Sequence, residues 1–212
     1  MTVHGIPAPA ANFNFARHLL ERNTGRADKT AFIDDHGRLR YGELAQRVRR
    51  MAAALLGAGI RREERVLLLM HDCCEWPVAF LGALYAGVVP VAVNTLLTAD
   101  DYAYMLASSR AQAVVVSAAL LPVLQAALDT ARAAAPTAAS HEVKTIVVVR
   151  PSTPLAGGRV AFDAFLASAD PMPQAASTGP DDQAFWLFSS GSTGRPKGTV
   201  HTHANPYWTA EL

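Results

Sequence analysis

Apolar positions change period several times along the chain, and each change predicts an element. Residues 41–56 place Leu44, Val48, Met51 and Leu55 on one helical stripe, with Arg47 and Arg50 off it. Gly57 and Gly59 follow; glycine tolerates positive φ and so ends the helix. Upstream, residues 15–22 predict a short helix closed by Asn23-Thr24-Gly25. Two short apolar runs, Ala31-Phe32-Ile33 and Leu39-Arg40-Tyr41, flank the turn signal Asp35-His36-Gly37 as a hairpin. Residues 1–14 read as a loose lead-in.

From residue 65 the strands are continuously apolar instead of alternating, at 65–70, 88–93, 113–117 and 145–149. Helices are predicted between them at 75–85, 99–108 and 120–135, with Gly87 ending the first and Thr98-Ala99-Asp100-Asp101 opening the second as a capping box. This alternation predicts an α/β fold, a mostly parallel sheet with helices on both faces. Pro90 predicts an irregular or edge position for its strand. Residues 151–159 form a turn-rich connector and 162–167 a short helix. Residues 170–182, with three prolines, read as a linker into a second layer or a surface excursion. Strands follow at 184–188 and 199–201. The last helix, 203–212, stops without a capping residue, which predicts a longer parent chain.

Composition narrows the function. The chain has 212 residues, half of them hydrophobic, and a formal net charge of +1. That is enough for a substantial core and gives no electrostatic case for a nucleic-acid partner. Arg47, Arg49 and Arg50 read as a solvated helix face. Cys73 and Cys74 are adjacent and lack metal-ligand spacing, so they read as buried thiols in a reducing compartment. No signal peptide is visible. The apolar run 79–93 is interrupted by Gly82, Gly87 and Pro90 and is shorter than the ~20 residues of a membrane helix. A cytoplasmic protein with no membrane partner is expected.

The stretch with chemistry in it is Ser189-Ser190-Gly191-Ser192-Thr193-Gly194-Arg195-Pro196-Lys197-Gly198. It holds four hydroxyls, three glycines and two cations in ten residues. Hydroxyls donate to phosphoryl oxygens, glycines let backbone amides turn inward as an anion nest, and the cations offset negative charge. The stretch lacks the spacing of both the GxxxxGK[ST] nucleotide loop and the GxGxxG fingerprint. A phosphate binder is the physical reading, against a flexible linker.

This loop resembles the signature loop of the adenylate-forming superfamily of acyl-CoA synthetases, luciferases and peptide-synthetase adenylation domains. His201-Thr202-His203-Ala204-Asn205 and Tyr41-Gly42-Glu43-Leu44 fit the same family, as does the helix and strand of residues 75–91. The resemblance spans residues 13–212, the N-terminal portion of the large adenylate-forming domain. Residues 200–212 and 94–102 most resemble bacterial benzoate-CoA ligases.

The resemblance implies two half-reactions: benzoate or a related aromatic acid attacks ATP to give an acyl-adenylate, and coenzyme A then displaces AMP. ATP, Mg2+ and coenzyme A are the implied cofactors and co-substrates. Lys197 and Thr193 are the implied catalytic residues. Ser189, Ser190, Gly191, Ser192, Thr193, Gly194, Arg195, Lys197 and Gly198 are the implied phosphate binders. His203 lines a substrate pocket or makes a structural hydrogen bond. Trp208 approaches the aromatic acid or is core, and Trp76 and Trp186 read as core. His201 has no assigned role, and no metal ligand is assigned to these residues. Magnesium, adenine and coenzyme A contacts, the hinge and a small C-terminal domain are expected beyond residue 212. Homodimerisation is left open, as are a fatty or aryl acid substrate, a carrier-protein acceptor and a non-catalytic assembly role.

Overall fold

The computed structural model describes residues 2–3, 5–134, 141–189 and 195–211. Strands β1 (Thr2–Val3) and β2 (Ile6–Pro7) form a small hairpin, followed by α1 (Phe15–Arg22). A second hairpin, β3 (Thr30–Asp34) and β4 (Gly37–Arg40), leads into α2 (Tyr41–Gly57). Strand–helix alternation then runs through β5 (Arg65–Leu69), α3 (Glu75–Ala86), β6 (Val89–Ala92), α4 (Ala99–Ser109), β7 (Ala113–Ser117), α5 (Leu121–Ala134) and β8 (Thr145–Val149). The remainder is β9 (Arg159–Ala161), α6 (Phe162–Ala167), β10 (Gln183–Ser189), β11 (Lys197–Thr202) and α7 (Ala204–Glu211).

Seven strands form one sheet in the order β11-β10-β6-β5-β7-β8-β9, parallel throughout except for the antiparallel pair β10–β11. The two-residue period of a strand sends alternate side chains to opposite faces. Val66, Leu68, Val115 and Val147 enter a core shared with α1, α2, α3 and α6. Leu67, Leu69, Val114, Val116 and Val148 enter a second core with α4 and α5. Both faces are covered, which is why these strands are apolar at every position. Leu44, Val48, Met51 and Leu55 are all buried, as the α2 stripe predicts.

Helix α3 is buried nearly all round, between the sheet and α1 and α2. Gly82 lets α2 come close: a Cβ there would run into the Met51 side chain. Gly87 ends α3 at φ 72°, the left-handed cap. At α4 the capping box forms, with the Asp101 amide donating to Thr98 Oγ1 at 3.3 Å and the Thr98 amide donating to Asp101 Oδ2 at 3.1 Å.

Four features differ from the sequence reading. Pro90 lies in an interior strand, between β5 and β10. The amides of Val89 and Val93 donate to Glu64 and Leu68 on the β5 side. Alternation turns position 90 toward β10, where pairing begins only at Val91, so the missing N–H leaves no gap in the ladder. Strand β9, between the predicted connector and the 162–167 helix, adds a seventh strand at the edge. The lead-in is anchored: Phe13 and Asn14 are buried, and Asn14 donates to the Leu84 carbonyl at 2.7 Å.

Arg47 and Arg50 are the fourth: they are half-buried braces, while Arg49 between them is exposed as the solvated face predicts. Arg47 pairs with Asp163 at 2.9 Å, and Arg50 donates to the Ala169 carbonyl at 2.9 Å. Beyond them, residues 170–182 lie across the helices as a strap. The Met172 amide donates to Arg49 O, the Ala176 amide to Tyr85 O, and Phe13 and Thr178 exchange two bonds. The predicted end of α5 at residue 135 lies outside the described residues.

Candidate functional site

The path of the chain around β5 positions the site. One connection carries β5 through α3 to β6; the next crosses to the other face through α4 and returns as β7 on the far side of β5. Such reversals open crevices at the carboxyl ends of parallel strands, where α/β folds take ligands. β10 runs parallel to β6, so the stretch joining β10 to β11 leaves from that same end.

The β10–β11 ladder holds both ends of this stretch. Phe188 pairs with Gly198, and Ser189 with Lys197. Ser189, Arg195, Lys197 and Gly198 are exposed. Ser190, Gly191, Ser192, Thr193 and Gly194 lie outside the described residues. The Arg195 guanidinium carbon stands 5.1 Å from the centroid of the Tyr104 ring on α4. Tyr104 is absent from the sequence-based site; the ninety or so positions separating it from Arg195 carry no local signal.

His203 is elsewhere. It follows β11, so the six residues of that strand, roughly 20 Å at a strand's rise, separate it from Lys197. It is fully buried. Its Nδ1 accepts the Phe15 amide at 3.2 Å, and its own amide donates to Asp182 O at 3.1 Å. Burial pushes its pKa down to about 4, with Asp182 opposing. The acceptor role of Nδ1 places the proton on Nε2, which is buried without a partner. His203 thus ties the starts of α1 and α7 together as a neutral imidazole.

His201 stacks on Phe185 with centroids 4.6 Å apart, and Phe185 meets Phe80, which stacks on Trp76. Half-buried Trp208 packs edge-on against Tyr207 at 5.2 Å, and the Tyr207 hydroxyl donates to Pro7 O. Trp208 is thus carried on α7, the helix that follows β11.

A second polar group gathers at the carboxyl ends of β5, β7 and β8. Arg150, at φ 51°, reaches Asp34 at 2.6 Å and Glu75 at 2.8 Å. The Cys74 amide, Arg150 and the His36 amide hold the Asp34 carboxyl well below the usual carboxylate range. The cluster braces the β3–β4 hairpin against α3. Burial and the nearby Glu75 push the Cys73 thiol up to about 11, so it is not an activated nucleophile. Among the described residues, no group of three or more His, Cys, Asp or Glu side chains is placed to hold a metal ion. Among them, too, no helix is long and apolar enough to cross a membrane.

With this hairpin at the carboxyl edge of a doubly covered parallel sheet, the chain belongs to the AMP-binding enzyme family, which matches residues 19–212. The resemblance to the adenylate-forming superfamily and the expected α/β fold both hold. Among curated relatives, the benzoate–CoA ligase of Thauera aromatica is 44% identical over 203 residues, 94% of this chain and 36% of the relative. The 4-hydroxybenzoate–CoA/benzoate–CoA ligase of Rhodopseudomonas palustris is 38% identical, over 96% of this chain and 36% of the relative. A benzoate CoA ligase crystal structure from Burkholderia xenovorans matches with a TM-score of 0.80 at 52% identity, over 94% of this chain and 36% of that one. The chain thus spans about a third of the length of the curated relatives it matches.

Proposed function

We propose that these residues form the ATP-phosphate clamp of an enzyme joining benzoate or a related aromatic acid to coenzyme A. The carboxylate oxygen attacks the α-phosphorus of ATP, the bond to the pyrophosphate oxygen breaks, and acyl-adenylate forms. The thiol of coenzyme A then attacks the acyl carbon, losing its proton as AMP leaves. The aromatic-acid ligases among the relatives favour this substrate class over fatty acids.

One observation supports the reading: the β10–β11 ladder closes at Ser189 and Lys197 at the carboxyl end of the parallel strands, with Lys197 exposed. Hydroxyls of Ser190, Ser192 and Thr193 and amides near Gly191 and Gly194 donate to the phosphoryl oxygens. Ser189 and Gly198 anchor the clamp, Arg195 adds N–H donors, and Lys197 offsets charge on the departing pyrophosphate. Fixed donors of this kind lower the barrier because charge moves onto those oxygens in the transition state. Mg2+ would accompany ATP by screening its phosphates; no residue described here is assigned to it.

The test is benzoate-dependent ATP–pyrophosphate exchange in a chain of the relatives' length that carries these residues. Lys197→Ala is expected to cost about 2 kcal/mol of transition-state stabilisation, roughly a thirtyfold loss of kcat/KM for ATP. An unchanged rate removes the clamp. Indifference to benzoate removes the aromatic acid, and transfer to a carrier protein in place of free coenzyme A changes the acceptor.

A further inference from the structure

Arg195 has a defined seat. Its 5.1 Å approach to the Tyr104 ring is inside the ~6 Å range of a cation–π contact. Tyr104 sits on a helix held firmly at its start. The Thr98–Asp101 box caps α4. Just ahead of that cap, the Tyr102 hydroxyl donates to Asn94 O at 2.8 Å and accepts the Leu97 amide at 3.2 Å. Met105 and Leu106, on the next turn, are buried in the core that α4 shares with α5. The half-buried ring is therefore a platform on a fixed helix.

A guanidinium lying on a ring uses its face and keeps its in-plane N–H donors at the rim. Pro196 restricts φ between Arg195 and Lys197, and Lys197 is locked opposite Ser189 in the ladder. The two cations of the motif are thus set by different supports, one by a helix and one by a strand.

We infer that Tyr104 is a positioning residue for the phosphate clamp, acting through Arg195 to hold that cation's N–H edge at the carboxyl end of the sheet. The inference rests on the clamp reading above but is independent of which acid is activated. Its test uses the 212-residue chain with Tyr104→Phe, Tyr104→Leu, Arg195→Gln and Lys197→Ala. Hydrogen exchange at the Arg195, Lys197 and Gly198 amides is read without ligand, and affinity for inorganic tripolyphosphate by calorimetry.

Tyr104→Leu and Arg195→Gln are each expected to speed exchange at these amides and to weaken tripolyphosphate about fivefold. Tyr104→Phe keeps the ring and matches the wild type in both. The Leu/Gln double variant is no worse than either single one. Wild-type exchange and affinity in a folded Tyr104→Leu chain would overturn the inference. If that variant does not fold, ligand-free amide exchange in Arg195→Gln decides: wild-type exchange there would overturn the inference, whereas its tripolyphosphate affinity falls with the lost charge either way. Tripolyphosphate binding that survives Lys197→Ala overturns the clamp but not the anchoring of Arg195, which exchange reads directly.

Discussion

A neutral histidine in a closed space is a liability at low pH, and His203 is one. Its pKa lies near 4 when folded, against an ordinary 6.5, because burial disfavours the charged ring. The unfolded chain therefore binds the extra proton between those values, and stability rises with pH across that window. The full effect is roughly 3 kcal/mol, present above pH 6.5 and lost as pH falls toward 4. Urea unfolding at intervals from pH 4 to 7.5 checks this, with His203→Gln expected to flatten the profile. His18 and His141 are also shifted down, mainly by burial. The difference between wild type and variant isolates His203. The sequence left this residue between a pocket and a structural bond, because its partner, the Phe15 amide, is 188 positions away.

Between elements, the contact that sets the layer spacing is α2 against α3. Gly82→Ala puts a methyl group into Met51. Overpacking of this kind costs about 1–3 kcal/mol. Gly57→Ala, at the end of α2 where an added Cβ meets nothing, is the control and is expected to be neutral or slightly stabilising. Chemical denaturation of the two variants checks both expectations. Most elements were legible in the sequence, since burial on two faces writes an unbroken apolar run and a helix writes a stripe. β9 was not, because Arg159, Val160 and Ala161 are half-buried and make no run. Pro90 misled because its ladder cost depends on which neighbour its nitrogen faces, and strand order is not written locally. The braces from Arg47 and Arg50 escaped for the same reason: their partners at Asp163 and Ala169 lie more than a hundred positions on.

For the whole molecule, the proposed phosphate motif was legible because its chemistry is local, while the Arg195–Tyr104 contact was not. On the proposed reading, the described residues supply only one end of an ATP site. Of the sequence-based candidates for the acid, His203 bonds the start of α1 and Trp208 lies on α7. The 212-residue chain alone is therefore expected to form no acyl-adenylate with benzoate, whereas a chain of its relatives' length does. Pyrophosphate exchange measured on both chains checks this. Turnover by the shorter one would mean that the acid and adenine contacts lie within these residues.

The pairing of Ser189 with Lys197 also governs how this hairpin tolerates change. Because neighbouring side chains in a strand point to opposite faces, deleting one residue between 198 and 202 would rotate Lys197 to the far side of the sheet if the downstream pairing held. Indels in β11 act as inversions of charge direction, so the strand's length is part of the site as surely as its lysine.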